Sequence, residues 1–96
     1  MSQDIYEYPL MPEWDISAVI LATDFYQAVE QFYDSGIERA DFLSKYQLFR
    51  ELEPAKMIQK QLDQRFQAVS GYSIYQAVQY ANQHETKFIG FKSKKG

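Results

Sequence analysis

A chain of 96 residues, 46% hydrophobic and 17% aromatic, is long enough for one domain whose modest core is closed largely by 8 Tyr, 7 Phe and 1 Trp. The absence of cysteine excludes disulfides and thiolate metal sites, and it fits a reducing compartment. The net charge of −3 conceals a division: residues 1–54 carry 11 acidic and 3 basic side chains, whereas residues 55–96 carry 2 acidic and 7 basic ones. Such polarity bears on association, not on fold. Met1–Asp4 is not basic, and the longest apolar run is Ala18–Ala22. Neither a signal peptide nor a membrane span is therefore expected, and a cytoplasmic location is.

Residues 1–14 read as an arm. Tyr8-Pro9-Leu10-Met11-Pro12 favours extended backbone, and Ile5, Tyr6, Tyr8 and Leu10 are apolar enough to lie on the body. A first helix is predicted from Ile16 to about Ser35, with Asp15 as N-cap and Gly36 as the residue that ends it. Ala18, Leu21, Ala22, Phe25, Ala28, Val29, Phe32 and Tyr33 share one broad face, which Val19 and Tyr26 widen. A second helix spans about Glu38 to Leu52, through Phe42, Leu43, Tyr46 and Phe49, and Pro54 stops it. The third runs from about Ala55 to Ser70, with Ile58, Leu62, Phe66 and Val69 as its stripe. Ser70-Gly71-Tyr72-Ser73 is a helix junction: Gly71 ends one helix, Ser73 caps the next, and Tyr72 and Tyr75 are expected to pack the corner. The fourth helix packs through Ile74, Ala77, Val78 and Ala81 and fades near Asn82–His84. Lys87–Gly96 alternates apolar and basic residues and reads as a short extended piece with a frayed basic end.

The expected fold is all-α: a compact bundle of three to four short helices with an extended N-terminal arm and a basic C-terminal tail. Residues 1–96 form a single helical domain, divided into the arm (1–14), the helical core (15–84) and the tail (85–96).

Tyr8-Pro9-Leu10 with Trp14, then Val29-Glu30, Tyr33, Gly36, Tyr46 and Phe49, carry a resemblance that sharpens in Pro54, Lys56, Lys60-Gln61, Phe66, Ser70-Gly71-Tyr72-Ser73, Tyr75 and Val78. Over about residues 8–81 the chain resembles the YktA-like uncharacterised family of small proteins from low-GC Gram-positive bacteria. The resemblance implies an all-helical bacterial domain with no assigned activity, and it carries over no catalytic or cofactor residue. The chain departs from the family in the apolar opening Ile16-Ser17-Ala18-Val19-Ile20-Leu21, where the family tends to be acidic.

No catalytic, cofactor-binding or metal-binding residue is assigned, and a non-enzyme is expected. His84 is the only histidine, no Gly-rich phosphate loop is present, and the carboxylates lack metal-site spacing. The candidate interaction surface is Trp14, Ile16, Ile20, Lys56 and Lys60. Ile16 and Ile20 fall on the polar side of the first helix, so either the Tyr6–Leu10 arm covers them, the favoured expectation, or they form a patch for a partner. Lys56 and Lys60 stand one turn apart near a helix N-terminus, where cations oppose the macrodipole. Local neutralisation by Glu51 or Glu53 is favoured over reception of a phosphate or partner carboxylate.

The function expected is a small non-catalytic cytoplasmic protein-interaction module. Its partner is an unknown protein or a second copy, self-association joining the oppositely charged halves. The alternative is a weak nucleic-acid-binding protein. It would use a helix-turn-helix-like unit of the third and fourth helices, offering Gln76, Gln79, Asn82 and Gln83, together with the basic tail. Nucleic acid is disfavoured because the fourth helix has no Arg or Lys to anchor phosphates.

Overall fold

The longest helix, α1 (Ile16–Asp34), lies where the sequence places it, and a computed structural model of the chain, which describes residues 8–91, shows what fixes its ends. The Asp15 carboxylate accepts the Ala18 amide at 2.9 Å, satisfying one of the orphan donors of the first turn. At the other end the Ser35 and Gly36 amides return to the Gln31 carbonyl at 2.9 and 2.8 Å. Gly36 there adopts φ +99°, a conformation that a Cβ would strain. Between these caps Ala18, Ala22, Phe25, Tyr26, Ala28, Val29 and Phe32 are buried, so α1 is the central helix. Tyr26, expected at the margin of the face, is fully buried; its hydroxyl donates to the Pro9 carbonyl at 2.8 Å, and burial pushes its ionisation well up.

After the two-residue strand β1 (Ile37–Glu38), α2 (Arg39–Leu52) runs back along α1. Phe32 meets Phe42 at 6.1 Å between ring centroids and Phe25 meets Phe49 at 4.8 Å, so the two helices are antiparallel. Pro54 separates α2 from α3 (Lys56–Ser70), whose Leu62 and Phe66 are buried and whose Phe66 stacks on Tyr26 at 5.0 Å. Val69, expected in the same stripe, is exposed: it sits in the last turn, beyond the α1 surface that Phe66 covers. Gly71 adopts φ +83° and its amide returns to the Gln67 carbonyl at 2.8 Å, after which α4 (Ile74–Gln83) buries Ile74, Ala77, Val78 and Ala81.

The architecture is all-α, with one addition that the sequence reading did not supply. The extended piece after α4 forms β2 (Phe88–Ile89), which pairs antiparallel with β1 in the register Ile37↔Ile89 and Glu38↔Phe88. The Arg39 amide bonds the Lys87 carbonyl at 2.8 Å and the Phe91 amide bonds the Phe32 carbonyl at 3.1 Å, so the chain as far as Phe91 is fastened to the end of α1 and is not frayed. The pairing demands close backbone approach: a Cβ at Gly90 would lie 2.9 Å from the Gly36 Cα. Lys92, Lys94 and Lys95 of the expected basic tail lie outside the described residues.

The described part of the arm, residues 8–14, turns at Met11–Trp14 instead of remaining extended, and Ile5 and Tyr6, expected to lie on the body, are outside the described residues. The Trp14 amide bonds the Met11 carbonyl at 3.1 Å, closing a turn that Pro12 pre-sets. Tyr8 and the buried Pro9 pack against Tyr26 and Phe66, and the Tyr8 hydroxyl donates to the Glu30 carboxylate at 2.9 Å. Burial, and secondarily the nearby Asp34 carboxylate, raise the proton affinity of Glu30. Among the described residues no helix is long and apolar enough to cross a membrane.

Candidate functional site

Residues 56, 60, 63 and 67 recur at helical spacing, and they place Lys56, Lys60, Asp63 and Gln67 on one stripe of α3, beside its buried stripe but not within it. Facing them across an open groove of about 750 Å³ are Ile74, Tyr75, Val78, Gln79 and Asn82 of α4, while Tyr46 and Phe49 of α2 lie beneath. The groove therefore has an apolar floor and a rim of lysine and carboxamide groups.

Asp63 ties its two walls together. Its Oδ1 accepts the Ile74 amide at 2.9 Å and its Oδ2 accepts the Tyr75 amide at 3.3 Å. It thus shares the capping of α4 with Ser73, whose Oγ accepts the Gln76 amide at 3.1 Å. The carboxylate that lines the groove is consequently committed to the α4 amides. The Gln59 side-chain amide donates to the Glu53 backbone carbonyl at 2.7 Å, at the entry to α3. Among the described residues neither Glu51 nor Glu53 forms an ion pair with Lys56 or Lys60; the pairs present are Lys45–Asp41 at 3.0 Å and Lys87–Glu38 at 3.4 Å.

The junction behind the groove is held by tyrosines. Ser70 Oγ donates to the Phe66 carbonyl at 2.7 Å and accepts the Tyr72 amide at 3.0 Å. Tyr72 stacks flat on Tyr33 at 4.6 Å, and the Tyr33 hydroxyl donates to the Ser73 carbonyl at 2.8 Å. The Tyr72 hydroxyl donates to Asp34 at 2.8 Å; that bond first, and burial second, push its ionisation up to about 12. Tyr72 packs the corner as expected. Tyr75 does not: it is 61% exposed, because a residue at the second position of α4 points across the groove mouth and away from Tyr33.

The expected interaction surface is not one surface. Lys56 and Lys60 line the groove. Trp14 is half-buried and packs against the core. Ile16 and Ile20 are 73% and 59% exposed, and the described part of the arm does not cover them, since Tyr8 and Pro9 are drawn to Tyr26 and Phe66. Asp63, Tyr46, Phe49 and Val78 were not assigned to a site from the sequence. The helix that Asp63 caps begins 11 residues downstream, and only the packing of α3 against α4 brings them together.

A family model for "Uncharacterised protein family (UPF0223)" matches residues 5–90, nearly the whole chain. The chain belongs to the UPF0223 family. A UPF0223 protein of Bacillus mycoides is 39% identical over 84 residues, covering 88% of this chain and 94% of that protein. One from Staphylococcus aureus is 40% identical over 79 residues (82% and 87%), and one from Streptococcus thermophilus is 38% identical over 89 residues (93% and 96%). UPF0223 is thus the low-GC Gram-positive family that the Pro-Leu arm and the Ser-Gly-Tyr-Ser junction resemble, and its uncharacterised status assigns no role to any residue of the groove.

Proposed function

We propose that the chain is a small non-catalytic protein-interaction module that uses the α2–α3–α4 groove as its docking surface. The observation that carries this reading is the groove's imbalance: an apolar floor beneath two rim lysines, with the one lining carboxylate already bonded to the α4 amides. The occupant fitted to it is an acidic protein segment with apolar side chains. The exposed Tyr75 and half-buried Tyr46 supply apolar area to cover, and the lysines supply orientation and on-rate. Ser73, the groove's serine, caps α4 by accepting the Gln76 amide. The cytoplasmic location expected from the sequence belongs to the same proposal.

The test is a titration of the isotope-labelled chain with a designed amphipathic peptide bearing leucines on one face and glutamates beside them. Its lysine counterpart and a single-stranded oligonucleotide are titrated in parallel. The acidic peptide is expected to shift amides of residues 56–67 and 74–82, less so as salt rises, and not at all in Lys56→Glu/Lys60→Glu. Groove amides that stay still, or that respond equally to the lysine peptide, overturn the proposal. A response to the oligonucleotide alone replaces it with the nucleic-acid reading.

A further inference from the structure

Ile16, Ile20 and Asp24 stand on one line of α1, about 6 Å apart at 1.5 Å per residue, on the side opposite the buried Phe25 and Val29. Glu13 and Asp15 are exposed at the head of this line, and Asp24 is exposed at its foot. The ridge is therefore two exposed isoleucines between the Glu13 and Asp24 carboxylates, with Asp15 engaged as the α1 cap, the chemistry that the groove is fitted to receive. We infer that the occupant of the groove is the Ile16–Asp24 ridge of a second copy of this chain, an inference that rests on the reading of the groove as a docking surface.

Charge complementarity points to this occupant. Lys56 and Lys60 have no ion-pair partner among the described residues, and the groove rim and the α1 ridge carry opposite signs. Two ridges packed on each other would set Glu13, Asp15 and Asp24 against their own copies, which disfavours a symmetric α1–α1 contact. A ridge that points away from the core cannot enter the groove of its own chain, whose floor is on α2 and α4. The contact joins two different surfaces, so it repeats from copy to copy unless the rotation closes a ring.

The full-length chain is examined by sedimentation over a range of concentrations, at about 0.01 M and about 1 M salt, between which the Debye length falls from ~30 Å to ~3 Å. Association beyond a dimer is expected at low salt and is lost at high salt. Ile20→Asp and Lys56→Glu/Lys60→Glu each weaken association by about tenfold or more, while both stay folded because all three side chains are exposed, the second with an unfolding midpoint at or above wild type since it places an acidic group in the first turn of α3. The decisive step mixes the two variants. One retains a groove and the other a ridge, so together they form a one-to-one dimer that grows no further. Ile20→Leu retains association. A wild-type chain that stays monomeric at low salt overturns the inference, and so does a mixture of variants that fails to pair. If the groove amides nevertheless respond to the acidic peptide, the docking reading stands and only the second copy is excluded as its occupant.

Discussion

Asp63→Ala removes two capping bonds from a helix of only 10 residues, so it tests whether tertiary capping fixes the far wall of the groove. Loss of a side-chain N-cap costs typically ~1 kcal/mol, within a range of about 0.5–2. The Ile74 bond, at 2.9 Å and partly buried, is placed near the middle of that range, because its amide loses its partner where water has limited access. The Tyr75 bond is longer, at 3.3 Å, and exposed, so water replaces it and it adds only a few tenths. The sum is about 1.5 kcal/mol, or a fall in Tm of roughly 6–12 °C for a domain of this size. Urea unfolding monitored by helical circular dichroism measures it, and hydrogen exchange at the Ile74 and Tyr75 amides localises it. Asp63→Asn keeps one acceptor oxygen and is expected to recover about half the loss. Ser73→Ala combined with Asp63→Ala should depart from additivity, since both side chains cap the same helix end. A loss below about 0.5 kcal/mol for Asp63→Ala refutes the argument that α3 caps α4.

Three further outcomes follow from other parts of the molecule. Gly90→Ala sets a methyl group against the Gly36 backbone, 2.9 Å from its Cα; it should open the β1–β2 pairing and cost the Phe91 amide its exchange protection, whereas Gly71→Ala meets no atom within 4 Å and strains only its own φ of +83°. Glu30 holds its proton more tightly folded than unfolded, so its contribution to stability is present below the ordinary value of 4.5 and is lost as pH rises through the raised one; Glu30→Gln keeps an acceptor for Tyr8 and should flatten that loss in urea midpoints taken across the window. Tyr72 likewise favours its protonated form in the folded chain, so stability should decline from pH 10 toward its value of about 12, and Asp34→Asn should bring the Tyr72 titration, followed by ring-carbon resonance, back toward 10.

The sequence alone determined the helices, because the signals for them are local. Asp15 lies next to the helix it caps, Gly36 and Gly71 mark the two left-handed stops, Pro54 breaks the chain between α2 and α3, and the apolar stripe of α1 repeats at 3.6 residues. It also showed that Ile16 and Ile20 lie off the core face, since a helical wheel needs no partner to be drawn. Tertiary structure decided everything that joins distant residues. Asp63 reaches amides 11 and 12 residues away, Tyr33 and Tyr72 stack across 39 positions, and Ile37 pairs with Ile89; none of these leaves a periodicity to read. The groove is of the same kind. Its lysines were visible as an oddity near a helix N-terminus, but its floor is made of Tyr46, Phe49, Ile74 and Val78, which on their own helices read as ordinary core. They line a site only because α2, α3 and α4 converge there, with Tyr46 half-buried and Phe49, Ile74 and Val78 buried beneath the rim.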